Sequence, residues 1–116
     1  MNKLVNWKHL YEYQHIFGLS KLAALWVDYL EQAQQSWSAL PPEACEQLRL
    51  TFHSWKSSSQ VFGLDEFSRR CSQVEDNILN RRHLDGLPGQ INDCRECFEQ
   101  SIAELIPYFE KWKSQL

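Results

Sequence analysis

At 116 residues the chain has room for one domain around one modest hydrophobic core, which excludes a separate catalytic or nucleotide-binding domain beside it. Twelve Lys plus Arg against 15 Asp plus Glu give a net charge of -3 and a pI near 5.8, so no nucleic-acid or anionic-membrane surface is expected, since those need clustered positive charge. The longest apolar run, Leu22 to Val27, falls far short of the roughly 20 residues that span a bilayer, and the first residues lack the apolar core of a secretory signal; the expected compartment is cytoplasmic, with all four cysteines reduced.

From residue 6 to 17 aromatic and polar residues alternate, with Trp7, Leu10, Tyr11 and Gln14 on one side. The pattern predicts a short helix that lids a bundle and ends at Gly18. Ser20 is the expected N-cap of a second helix, 20–40, whose positions Leu22, Leu25, Trp26, Tyr29, Ala33, Trp37 and Leu40 recur at three- and four-residue spacing until Pro41 and Pro42 stop it. Those prolines suit a first turn, so a third helix is expected at 42–62 with Cys45, Leu48, Phe52, Trp55 and Ser59 inward and Gly63 at its end. A fourth, 65–79, takes Asp65 as its cap and places Leu64, Phe67, Cys71, Val74 and Ile78 at bundle spacing.

The charged stretch 80–90, with Gly86, Pro88 and Gly89, reads as a connection. A last helix, 90–115, is marked by Ile91, Cys94, Phe98, Ile102, Leu105, Phe109 and Trp112, a stripe that extends to Leu116. Pro107 removes a donor and presses on the carbonyl four residues back, so a kink is expected near Ala103. Together these elements predict one all-α domain over residues 1–116: an up-down-up-down antiparallel four-helix bundle with a short extra N-terminal helix. Cys45, Cys71 and Cys94 fall on apolar faces as small hydrophobes. The pair Cys94-x-x-Cys97 lacks both the strand-to-helix setting of a redox motif and a second pair of zinc ligands, so no metal site is expected.

One stretch does not read as scaffold. Phe52 to Leu64, FHSWKSSSQVFGL, sets His53, Lys56, Gln60 and Gly63 along one helical stripe while Phe52, Trp55 and Phe62 point to the core. A neutral imidazole is a good nucleophile near neutral pH, and Lys56, one turn away, is placed to stabilise a phosphoryl group arriving there. Ser57 is small enough not to obstruct a partner, and its hydroxyl can bond a phosphoryl oxygen. For the outer ring nitrogen to attack, the inner one needs an acceptor; Glu75, on the flank of the fourth helix, either fills that role or is a solvated helix acid. Gly63 serves equally as a helix stop and as a means of access. His9, His15 and His83 have no comparable setting and are expected on the surface.

The order His53, Ser54, Trp55, Lys56, Ser57, with Gly63 ten positions after the histidine, resembles the signature of the histidine-containing phosphotransfer (HPt) domain family. The helical layout extends that resemblance to nearly the whole chain, and Glu75 matches the Glu or Gln that family members often carry twenty-two positions after the histidine, bonded to its ring. Phe52 and Trp55 depart from the family, where Ala and Leu are usual, and are expected to swell the core and reshape the docking surface.

The resemblance implies a stand-alone phosphotransfer protein of a multistep two-component relay, similar to the monomeric quorum-sensing members. His53 would take a phosphoryl group from the receiver domain of a hybrid sensor histidine kinase and pass it to the receiver domain of a response regulator. Magnesium would come from those receivers, and no cofactor from this chain. Docking would use the face around His53, with Ser57, Gln60 and Gly63, joined by Leu10 and Phe17 if the bundle leaves them free. No Gly-rich phosphate loop is present, so ATP-dependent kinase activity is not expected. The rival class is a helical adaptor or kinase-inhibitor module without transfer, which an apolar surface at Trp7, Tyr11 and Tyr13 would favour.

Overall fold

The computed structural model describes residues 4–113, in which five α-helices and two short 3-10 turns occur and no strand. They are α1 (Trp7–Phe17), α2 (Leu19–Ser38), α3 (Glu46–Ser58), α4 (Asp65–Leu79) and α5 (Leu87–Lys113), with 3-10 turns at Ser59–Phe62 and Leu84–Gly86. Leu116, the side chain of Trp112 and the last residues of the expected helix 90–115 lie outside the described residues.

Side-chain pairings fix the direction of each helix. Arg49 near the start of α3 meets Glu75 of α4, while the Lys56 carbonyl near its end accepts from Ser68, so the two run antiparallel. Asn77 of α4 donates to Gln90 of α5, and the rings of Trp26 and Trp37 in α2 pack on Phe109 and Phe98 of α5, so these neighbours are antiparallel too. The result is the expected four-helix bundle, α2 to α5. The extra helix α1 is pinned by Asn6, whose N–H donates to the Gly63 carbonyl and whose amide donates to Asp65, and by Tyr108, which donates to Gln14.

Aromatic rings fill the core. Trp37 packs on Trp55 with centroids 4.4 Å apart, and Phe52, Phe67 and Phe98 complete that cluster; Trp26, Tyr29, Phe62 and Phe109 form a second. The bulky Phe52 and Trp55 are both buried against Trp37 of α2. Ring packing of this kind adds about 0.5–1.5 kcal/mol per pair beyond area burial.

Several boundaries differ from the sequence expectation. Gly18, at φ 84°, both ends α1 and begins α2, so Ser20 is not the cap. Pro41 precedes Pro42 and is thereby disfavoured from helix; α3 starts only at Glu46, after an extended Cys45. Its last turn tightens to 3-10 before Gly63 at φ 71°. Leu64, not Asp65, is the N-cap of α4, and the Asp65 carboxylate instead accepts from Asn6. Pro88 and Gly89 stand in the first turn of α5, where a missing N–H costs nothing, so the connection is shorter than 80–90. α5 continues through Pro107 to Lys113. Leu25, expected on the inward stripe of α2, is exposed; Tyr11 is exposed as well, while Trp7 and Tyr13 are half-buried.

Candidate functional site

The α3–α4 seam gathers three ionisable side chains around one carboxylate. Glu75 projects from α4 with only 7% of its side chain exposed; its Oε2 accepts from Nδ1 of His53 at 2.7 Å and from Nη1 of Arg49 at 3.0 Å. Its Oε1 accepts from Nζ of Lys56 at 3.0 Å. The three donors fall on one stripe of α3, at spacings of four and three residues, so a single turn-to-turn ridge faces the acid.

Burial works to raise the Glu75 pKa. The hydrogen bonds from Lys56 and His53, with the positive charge beside it, outweigh that and hold the carboxyl below its usual range. An ionised carboxylate only accepts, so Nδ1 of His53 carries the proton in this pair. Nε2 is left with its lone pair on a side chain that is 54% exposed.

The structure therefore brings together His53, Lys56 and Glu75, with Lys56 resting on Glu75 and 34% exposed. Ser57 and Gln60 are exposed within one or two turns of His53. Gly63 is not on that face. The 3-10 turn after Ser58 changes the register, and Gly63 is buried under Asn6, where an added Cβ would stand 2.5 Å from the Asn6 carbonyl oxygen. A buried Gly63 does not fit the docking role expected of it; it seats the N-terminal segment. Leu10 lies in the core, and Phe17 is half-buried with its ring stacked on Tyr13. His15 and His83 are exposed, whereas His9 is half-buried and stacked on Tyr13.

Arg49 is the residue that sequence reading missed. Its position four residues before His53 was visible, but nothing along the chain marks it out until Glu75 arrives from α4. Its outer side is held by Glu46, through Nε at 2.9 Å and through Nη2. Ser59, expected as a core-facing position, is buried and shares a 2.7 Å hydrogen bond with Tyr29.

Cys71, Cys94 and also Cys97 are buried, and burial pushes their thiols up, that of Cys94 to about 12. Such thiols are neither ready nucleophiles nor ready ligands. Among the described residues no group of three or more His, Cys, Asp or Glu is placed to hold a metal ion, and no helix is long and apolar enough to cross a membrane.

Fold and site define a helical bundle that displays an imidazole held from behind by a buried carboxylate. The family model for the Hpt domain matches residues 18–106, and the chain belongs to that family. Histidine phosphotransfer in a phosphorelay, with receiver domains as partners, follows from membership; α1 lies outside the matched residues. No curated protein and no solved structure matches the chain.

Proposed function

We propose that His53 is the phosphorylated residue and that the chain is a carrier between two aspartates of a multistep relay. The Nε2 lone pair attacks phosphorus of an aspartyl phosphate on the receiver domain of a hybrid sensor histidine kinase. The N–P bond forms as the P–O bond to the aspartyl oxygen breaks, and the electron pair of that bond returns to the aspartate carboxylate. Onward transfer reverses this: a carboxylate oxygen of the response regulator attacks phosphorus and Nε2 recovers its lone pair. The ring keeps its Nδ1 proton throughout, and Glu75 balances the positive charge that develops on it.

The observation that carries this reading is the 2.7 Å bond from Nδ1 to a buried carboxylate, which orients the ring and leaves Nε2 at the surface. Transfer needs an imidazole with its tautomer and ring direction fixed, which this bond supplies, whereas plain binding by an adaptor does not. Lys56 would leave Glu75 for the phosphoryl oxygens, and Ser57 and Gln60 would border the incoming receiver. Magnesium, on this reading, belongs to the receiver, and no cofactor to this chain; the chain works in the cytoplasm as a monomer.

Incubation with a phosphorylated receiver domain tests this. Label should pass to the chain in a form stable in base and labile in acid, and His53→Ala should abolish it. Absence of labelled protein with every receiver encoded in the same genome sinks the reading.

A further inference from the structure

Phosphotransfer asks Lys56 to do two things in turn. At rest its Nζ donates to Oε1 of Glu75 at 3.0 Å, and a dianionic phosphoryl group on Nε2 of His53 draws that ammonium outward. A buried carboxylate that loses its only cation is left as an uncompensated charge, which is strongly unfavourable. Glu75, with its side chain 7% exposed, would then hold Lys56 back.

Arg49 changes that balance. Its Nη1 donates to Oε2 of Glu75 at 3.0 Å, on the same oxygen that receives Nδ1 of His53. The rest of its guanidinium is clamped by Glu46, so the fork is held on both sides. Its side chain is 19% exposed and paired with two carboxylates, against 34% and one carboxylate for Lys56.

We infer that Arg49 is a positioning residue for the transfer, the standing counter-ion that keeps Oε2 of Glu75 beneath Nδ1 of His53 and so releases Lys56 to the phosphoryl group. The inference rests on the phosphotransfer reading and deepens it, since neither sequence signature nor family match points to position 49. Glu46 acts one step further out, by holding the guanidinium in place.

Two measurements test it. The first is the Nδ1–H signal of His53 in nitrogen-edited NMR of the unphosphorylated chain; the second is the rate at which His53 takes a phosphoryl group from phosphoramidate, whose P–N bond breaks as its amino group leaves as ammonia. Arg49→Met should weaken the Nδ1–H signal by exposing it to exchange and slow acceptance about tenfold. Adding Lys56→Ala to Arg49→Met should then cost less than Lys56→Ala alone, because Lys56 is already pinned on Glu75. Arg49→Lys, which restores the charge, should recover most of the signal and the rate.

An Arg49→Met chain with wild-type signal and rate overturns the inference, and so does an Arg49→Lys chain no better than Arg49→Met. Should Arg49→Met fail to fold, Glu46→Gln keeps every cation and still frees the guanidinium: a smaller loss of the same sign supports the inference, and wild-type behaviour overturns it. Because the NMR readout needs no transfer, a wild type that accepts no phosphoryl group counts against the phosphotransfer reading, whereas a signal indifferent to Arg49 counts against this inference.

Discussion

Asn6 and Gly63 lock the start of α1 onto the turn that ends α3. The Asn6 N–H donates to the Gly63 carbonyl at 2.7 Å, and the Gly63 Cα faces the Asn6 backbone so closely that a Cβ would meet its carbonyl oxygen at 2.5 Å. Gly63 also has φ 71°, a conformation that side chains with a Cβ rarely adopt. The glycine of the phosphotransfer signature thus closes the bundle here, three turns from the histidine and out of reach of a partner.

Gly63→Ala accordingly meets two penalties at once, a left-handed backbone and a clash with main chain that cannot rotate away. Unfolding in urea should show a loss of about 2 kcal/mol or more. Acceptance of a phosphoryl group from phosphoramidate by the remaining folded chain should stay near wild type, because nothing on Gly63 faces His53. A wild-type urea midpoint would show that the seat of α1 is looser than this contact implies.

Lys56→Ala removes one of the two cations on Glu75 and leaves Arg49 in place. Stability should change by less than about 1 kcal/mol, in keeping with a partly exposed ion pair. Transfer from a phosphorylated receiver should slow by about tenfold or more, since the role proposed for Lys56 is to stabilise the phosphoryl oxygens. A chain that unfolds on this substitution would place Lys56 in the architecture and not in the chemistry.

Much of this was legible along the chain, for reasons the residues make plain. The stripes of α2, α4 and α5 have the three- and four-residue spacing of amphipathic helices, no strand pattern competes with them, and the family model matches residues 18–106. Glu75 was within reach of prediction because an antiparallel α3–α4 pair brings its offset beside His53. Arg49 was not, since an arginine on a helix is ordinary until the partner carboxylate is known. α-Helical spacing carried through Ser59–Phe62 sets Gly63 beside His53, but the chain tightens to 3-10 there and turns the residue inward. α3 starts later than Pro42 suggests because proline is welcome in a first turn but also constrains the residue before it.

Glu75 gives the fold an acid-sensitive part. Its carboxyl is held below the usual range in the folded chain, while an unfolded chain restores the ordinary value. The unfolded state therefore takes up the proton first as pH falls, so the contribution is full above the ordinary Glu range and is lost as pH drops through the folded value. Glu66, held low by its hydrogen bonds from Arg69 and Arg70 against the opposing effect of burial, adds a term of the same sign. Urea midpoints should fall across the acid range in wild type and fall less steeply in Glu75→Gln, which cannot titrate. Equal slopes in the two proteins would mean that the Glu75 cluster does not hold in solution.

The hydrogen bond between Tyr29 and Ser59 ties α2 to the 3-10 turn that follows α3. Both residues are buried, and burial also pushes the Tyr29 hydroxyl pKa up, so the phenol stays neutral and needs a neutral partner. Ser59→Ala leaves that hydroxyl unsatisfied and should cost about 1–3 kcal/mol in urea unfolding. Tyr29→Phe should cost less, because a serine hydroxyl near a helix end can turn to a backbone carbonyl. The double substitution should then lie close to Tyr29→Phe alone, since removing both partners leaves nothing unpaired, and a strictly additive pair would argue that the two hydroxyls do not depend on each other. Transfer by the folded fraction should be unchanged in all three, because this contact faces the core while Nε2 of His53 faces outward.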